Sequence, residues 1–172
     1  MSALENASVR RVQSALAAAG SPARITALAE TARTAQDAAD AVGSALGSIV
    51  KSLVFVVGDR PVIALVAGDR QCDPAQLPAV LGLDGKARRA KAEEVREATG
   101  FAIGGVAPLG YPQPLPVVID ASLARFETIY AAAGHPYCIF ATDLTELCRI
   151  TGGQISDRIA IPLPARISHQ EP

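Results

Sequence analysis

Apolar residues recur at Val9, Val12 and Leu16 with the spacing of one helix face, and Gly20 and Pro22 end that pattern. Arg24 to Leu28 reads as a short strand. Thr34-Ala35-Gln36-Asp37 is a capping box, which predicts a helix running to the glycines between Gly43 and Gly47. The strongest signal follows. Lys51 to Val57 and Val62 to Ala67 are β-rich runs on either side of Gly58-Asp59-Arg60-Pro61, and together they predict a hairpin. Asp73-Pro74-Ala75-Gln76 predicts a capped helix with proline in its first position, kept short by Pro78.

Lys86 to Lys91 is a small basic segment, Ala92 to Thr99 a helix closed by Gly100, and Phe101 to Gly110 a glycine-bearing loop. Leu115 to Asp120, Thr128 to Ala133 and Tyr137 to Ala141 read as strands. Asp143-Leu144-Thr145-Glu146 caps the last helix, which Thr151-Gly152-Gly153 ends. From Pro162 onward two prolines and a polar run predict a frayed tail, residues 162–172. Helices and strands mix without strict alternation. The expected architecture is a single α+β domain with its core at about 24–161, built as a mixed β-sheet or partly closed barrel with surrounding helices.

The composition narrows the function. A chain of 172 residues with 49% apolar types can bury a sizeable core, and charged residues reach only 19%. The net charge of −1 and pI of about 6.1 provide no global basic field, so a nucleic-acid partner must be met by a local patch. Lys86, Arg88, Arg89 and Lys91 form the densest basic cluster, diluted by Glu93, Glu94 and Glu97. Arg88 and Arg89 are its weak nucleic-acid-contact candidates, and a solvated mixed-charge face explains the same residues. No apolar run approaches the roughly 18 residues that span a bilayer. The first helix carries Glu5, Arg10, Arg11 and Gln13 within its apolar pattern, unlike a signal peptide. Cys72, Cys138 and Cys148 are scattered and odd in number, which points to reduced thiols and a cytoplasmic protein.

Phosphate-loop, dinucleotide and serine-hydrolase glycine motifs are absent from the chain. His135 and His169 have no partner at metal-ligand spacing, so neither a metal nor a cofactor is expected. Two features remain. Lys51 opens an otherwise apolar strand, either as a held ammonium or as a lysine snorkelling to solvent. Gly104-Gly105 either lets the backbone approach an anion or simply makes a tight turn.

Taken in order, Lys51-Ser52-Leu53-Val54-Phe55, then Thr99-Gly100-Phe101-x-x-Gly104-Gly105-Val106-x-Pro108-x-Gly110, then Val118-Ile119-Asp120 resembles the YbaK/ProX family. These are free-standing aminoacyl-tRNA deacylases related to the editing domain inserted in bacterial prolyl-tRNA synthetases. The resemblance runs from about Ala35 to Gly153 and takes in Ala133-Gly134-His135-Pro136. It implies a YbaK-like fold and an enzyme that clears mischarged aminoacyl-tRNA, with tRNA for proline carrying Ala, Ser, Cys or 2-aminobutyrate as the expected substrate. It implies Lys51 as the lysine required for deacylation and Gly104 and Gly105 as pocket backbone. His135 matches a pocket position of some branches. Ser52, beside the lysine, stands where the alanine-specific branch has Asn, a departure that leaves the amino acid open. Asp143 matches an aspartate near the pocket, and its capping role explains it equally well. A prolyl-tRNA synthetase or elongation factor is the implied partner, and the protein is expected as a monomer or homodimer. The alternative is a non-catalytic tRNA- or synthetase-binding module with the same fold. Retention of Lys51 together with Gly104-Gly105 favours the enzyme.

Overall fold

The computed structural model describes residues 2–29, 32 and 34–164. The chain runs through α1 (Ala7–Ala18), β1 (Ile25–Ala27), α2 (Ala35–Val42), β2 (Ile49–Val57), β3 (Arg60–Ala67) and β4 (Arg70–Cys72). It continues through α3 (Leu77–Leu81), β5 (Ala87–Arg89), α4 (Ala92–Thr99), β6 (Val117–Asp120), β7 (Ile129–His135) and β8 (Cys138–Thr142). The last elements are α5 (Leu144–Thr151), β9 (Gln154–Ser156) and β10 (Ala160–Pro162).

The predicted hairpin is the centre of the fold. β2 and β3 pair antiparallel from Val50–Ala67 to Val57–Arg60. Around them a mixed, curled sheet takes the order β1-β8-β7-β2-β3-β6-β9, with β5 also pairing β2 and with β4 and β10 as a separate ribbon. β2 meets β7 in parallel and β3 meets β6 in parallel, so the sheet is mixed as expected.

Because side chains alternate across a strand, the hairpin feeds two cores. Val50, Val54, Ile63, Leu65 and Ala67 join Val9, Val12 and Leu16 of α1 on one face. Phe55, Val57, Val62, Ala64 and Val66 meet Leu77 and Ile159 on the other. Each fully buried large side chain stabilises the fold by about 1.5–3 kcal/mol, so burial of both faces holds this strand pair firmly.

Several expectations need adjustment. Val9, Val12 and Leu16 carry the buried core back before residue 24. The capping box of Thr34 and Asp37 forms, but the Asp73 side chain makes no cap hydrogen bond, and Pro74–Gln76 is a 3-10 turn leading into α3. The basic segment after Lys86 holds strand β5, because Ala87–Arg89 pair with Phe55–Val57. Pro162, where fraying was expected to begin, is paired with Arg70 in the β4–β10 ribbon. Residues 165–172, His169 among them, lie outside the described residues.

Candidate active site

The site begins with a break in the sheet. One edge of β2 pairs with β7 only at Ile49 and Val50, and with β5 only from Phe55 onward, apart from an Ala90 N–H that donates to Val54 O at 3.0 Å. Lys51, Ser52 and Leu53 lie between the two partners with that edge unpaired. Backbone direction alternates along a strand, and Val54 faces this edge, so the N–H and C=O of Ser52 face it too. The Ser52 Oγ is buried and has no hydrogen-bond partner among the described residues. A cavity of about 270 Å³ opens at this point. Its walls include Ala35 and Ala38 of α2, Ile49, Lys51, Ser52, Arg89, Gly104, Tyr130, His135 and Pro136. A buried hydroxyl and a strand edge without partners are costly unless a ligand completes them.

Lys51 is the third residue of β2 rather than its first, and follows directly on the last β7 pair. Its Nζ donates to the carbonyl of Arg70 at the start of β4, which holds the side chain in place. Burial pulls its pKa below the ordinary lysine range; the charges of Asp69 and Asp120 oppose that shift, and the nearby Arg89 guanidinium adds to it. The two carboxylates are already occupied. Asp69 makes a bidentate pair with Arg125 at 2.8 and 2.7 Å, which holds its carboxyl below the usual range. Asp120, 2% exposed, accepts from Ala67 N–H at 3.1 Å and Ser122 N–H at 2.9 Å. The cavity is therefore left with two cations, Lys51 and Arg89, on a wall whose other polar side chains are uncharged hydroxyls and the His135 ring, with small and apolar residues between them. Cys72 is no nucleophile, since burial pushes its thiol up to about 12.

The glycine loop forms the opposite lip. Gly105 N–H donates to Ala102 O at 3.0 Å, and Gly104 sits at the third position of that turn with φ +95°, the conformation of a type II turn. Gly105 thus closes the turn with its own N–H, which is the tight turn that the sequence offered as one of two readings of this pair. The Gly104 amide has no acceptor among the described residues. Gly105 matters for its size: a Cβ there would lie 3.1 Å from His135 N and 3.2 Å from Gly134. The loop is anchored on both sides of its tip by the buried Phe101, Val106, Ala107 and Leu109, and by Tyr111 Oη donating to Ala107 O at 2.8 Å. Arg11 of α1 lies 4.3 Å above the Phe101 ring, so the first helix braces the loop.

The structure brings Lys51, Ser52, Gly104 and His135 to one cavity and separates the two arginines. Arg89, flanking the Phe55 ring at 5.4 Å, lines the cavity. Arg88 points elsewhere, in a bidentate pair with Glu94 at 2.8 and 2.9 Å that holds the Glu94 carboxyl down at about 2. Asp143 caps α5 by accepting from Glu146 N–H at 2.8 Å and lines a separate cleft with Arg24 and Glu146. The His135 Nδ1 accepts from Tyr137 N–H at 3.1 Å, which leaves Nε2 as the protonated nitrogen of the neutral ring. Thr34, which the sequence shows only as a helix cap, lies on its wall, and Arg89 was not legible as a cavity residue because its strand is so short. Among the described residues no group of His, Cys, Asp and Glu is placed to hold a metal ion.

A family model described as the aminoacyl-tRNA editing domain matches residues 29–150. An uncharacterized protein of Bacillus subtilis (strain 168), YwhH, is 37% identical over 111 residues, 64% of this chain and 69% of that protein. A proline–tRNA ligase of Thermosipho africanus is 42% identical over 78 residues, 45% of this chain but 14% of the ligase. The crystal structure of a candidate trans-editing enzyme for prolyl-tRNA synthetase superposes with a TM-score of 0.84 at 41% identity, covering 91% of this chain and 98% of that one. These matches agree with the resemblance carried by the Lys51 strand and the glycine loop.

Proposed function

The chain belongs to the aminoacyl-tRNA editing domain family, and on that footing we propose that it hydrolyses the ester of mischarged aminoacyl-tRNA in trans, at the cavity beside Lys51. The observation that carries this is the unpaired stretch of β2, where Lys51, Ser52 and Arg89 meet the glycine loop in one half-enclosed space.

In the reaction, water adds to the acyl carbonyl carbon, the bond from that carbon to the ribose oxygen breaks, and the ribose oxygen leaves with the proton that water gives up. The Lys51 ammonium, fixed by Arg70 O, supplies positive potential where the oxyanion develops, and the Gly104 N–H is a second donor. Ser52 presents its Oγ and its open C=O as acceptors for the substrate α-ammonium. No side chain of the cavity is placed as a strong base, so the vicinal ribose hydroxyl of the substrate orients the water, with the protein supplying position and charge.

At about 270 Å³ the cavity falls below the roughly 300–1,000 Å³ of pockets for drug-sized ligands, and Ala35 and Ala38 line it. Both favour a small acyl side chain: Ala, Ser, Cys or 2-aminobutyrate. Similarity to proline–tRNA ligases supports tRNA for proline as the carrier and the synthetase as a partner. Three free cysteines, and the absence among the described residues of any helix long and apolar enough to cross a membrane, fit a protein acting in the cytoplasm. The test is incubation with tRNA for proline charged with each of these amino acids and with proline. Loss of the small-residue esters with prolyl-tRNA spared is expected; uniform inertness toward the panel leaves the non-catalytic binding module.

A further inference from the structure

Among the described residues six large apolar side chains are exposed; one, Ile103, lines the cavity, and another, Tyr137, directly follows two cavity-lining residues. Ile103, 61% exposed, is the second residue of the glycine turn. Tyr137, 37% exposed, lies just beyond His135 and Pro136, which line the cavity from the β7–β8 turn. The rings of His135 and Tyr137 are stacked, with centroids 5.2 Å apart and planes 19° from parallel. The turn that carries them is held from several sides. Tyr137 N–H donates to His135 Nδ1, Leu28 N–H donates to Tyr137 O, and Ala32 N–H donates to Pro136 O at 3.1 Å. Behind the turn, Gly134 (φ +91°) fits so closely against α1 that a Cβ would lie 2.8 Å from Ser8 O. The first helix, which precedes the family match, thus fixes the turn as well as the glycine loop.

We propose that the exposed face of the His135–Tyr137 stack receives the terminal nucleobase of the acyl-carrying nucleic acid. The inference rests on the deacylase function above. The ester and the terminal base share one ribose, so once the acyl group enters the cavity the base must lie against its rim. The β7–β8 turn offers that base an aromatic ring face next to the cavity wall, and the glycine turn that carries Ile103 packs against the same turn at Gly105. Such a face binds the π-surface of a single-stranded end without reading its hydrogen-bond pattern. A pair already locked by its turn loses little freedom on binding. This gives a protein of net charge −1 an attachment to RNA that does not depend on a basic patch.

Stacking on one aromatic side chain is worth about 5- to 150-fold in affinity per base. Tyr137→Leu is therefore expected to raise KM for the best-cleaved aminoacyl-tRNA at least about 5-fold, while Tyr137→Phe keeps the wild-type value. The chain has no tryptophan, so Tyr137→Trp introduces a single reporter at the platform. Its fluorescence should be quenched by the trinucleotide CCA and not by the same trinucleotide with an abasic 3′ residue. An unchanged KM in Tyr137→Leu, or equal quenching by the abasic form, overturns the proposal. The quenching reads base binding without hydrolysis. A wild-type protein inert to every aminoacyl-tRNA yet quenched by CCA in its Trp variant would sink the deacylase function and leave the platform standing.

Discussion

Ser52→Ala should move stability and activity in opposite directions. The Ser52 Oγ is buried at the sheet break without a partner among the described residues, and an unsatisfied buried polar group costs about 1–3 kcal/mol. Removing it leaves only a small void, so the free protein should gain about 1 kcal/mol, which for a chain of this size raises Tm by about 2–4 °C. With substrate bound, the same hydroxyl accepts from an ammonium, and a hydrogen bond to a charged group contributes about 1.5–3 kcal/mol. Its loss should lower kcat/KM by about 10- to 150-fold. Thermal unfolding of the free protein and single-turnover deacylation, run on one preparation, give both numbers. A variant that melts lower and cleaves at the wild-type rate would make Ser52 a packing residue and refute its assignment to the substrate.

Lys51→Ala removes a cation that, for an oxyanion about 5 Å away at an effective dielectric of about 20, is worth about 3 kcal/mol, so deacylation should fall by about 10²–10³ while the protein stays folded. Its pKa is lowered by burial, so the active ammonium is lost on raising pH before the ordinary lysine value of 10.5; kcat/KM corrected for spontaneous hydrolysis should show a falling limb below that pH, absent in Lys51→Ala. Because burial disfavours the charged form, that residue's contribution to stability improves as pH rises through the lowered pKa, and urea unfolding of wild type against Lys51→Ala should show the gap between them change with that sign. Arg89→Ala, which empties a cavity cation, should weaken aminoacyl-tRNA cleavage at least about 10-fold, whereas Arg88→Ala breaks only a surface pair and should change neither rate nor the salt dependence of binding. Gly105→Ala sets a Cβ 3.1 Å from His135 N, so the loop must shift by a few tenths of an ångström and cleavage should drop about 10-fold; a wild-type rate would separate the loop from the site.

The sequence pattern reveals the parts of this molecule that repeat over several residues. The β2–β3 hairpin, α4 and the capped α2 and α5 follow from β-rich runs around a turn, a glycine stop and capping residues, each a local signal. Strands β4, β5, β9 and β10 are three residues long, too short to show a period, and exist because a distant strand supplies their partners. β5 is also the sequence Ala-Arg-Arg, which on its own reads as a solvated basic segment. That loss mattered. Without β5 the break in pairing along β2 cannot be seen, and with it goes the reason Ser52 is orphaned and Arg89 faces the cavity. Lys51 and Gly104 were legible as unusual residues in an apolar strand and a loop. The hydrogen bond from Lys51 to Arg70, and the use of the Gly105 amide inside its own turn, depend on contacts that no spacing encodes.

The central claim is tested most directly by mixing wild-type protein and Lys51→Ala, each shown to be folded by its melting curve, with tRNA for proline charged with alanine, serine, cysteine, 2-aminobutyrate or proline, and following the ester under single-turnover conditions. The account predicts rapid loss of at least one small-residue ester by wild type, retention of prolyl-tRNA, and no loss above the spontaneous rate with Lys51→Ala. Equal rates for the two proteins, or no hydrolysis of any ester by wild type, would contradict it.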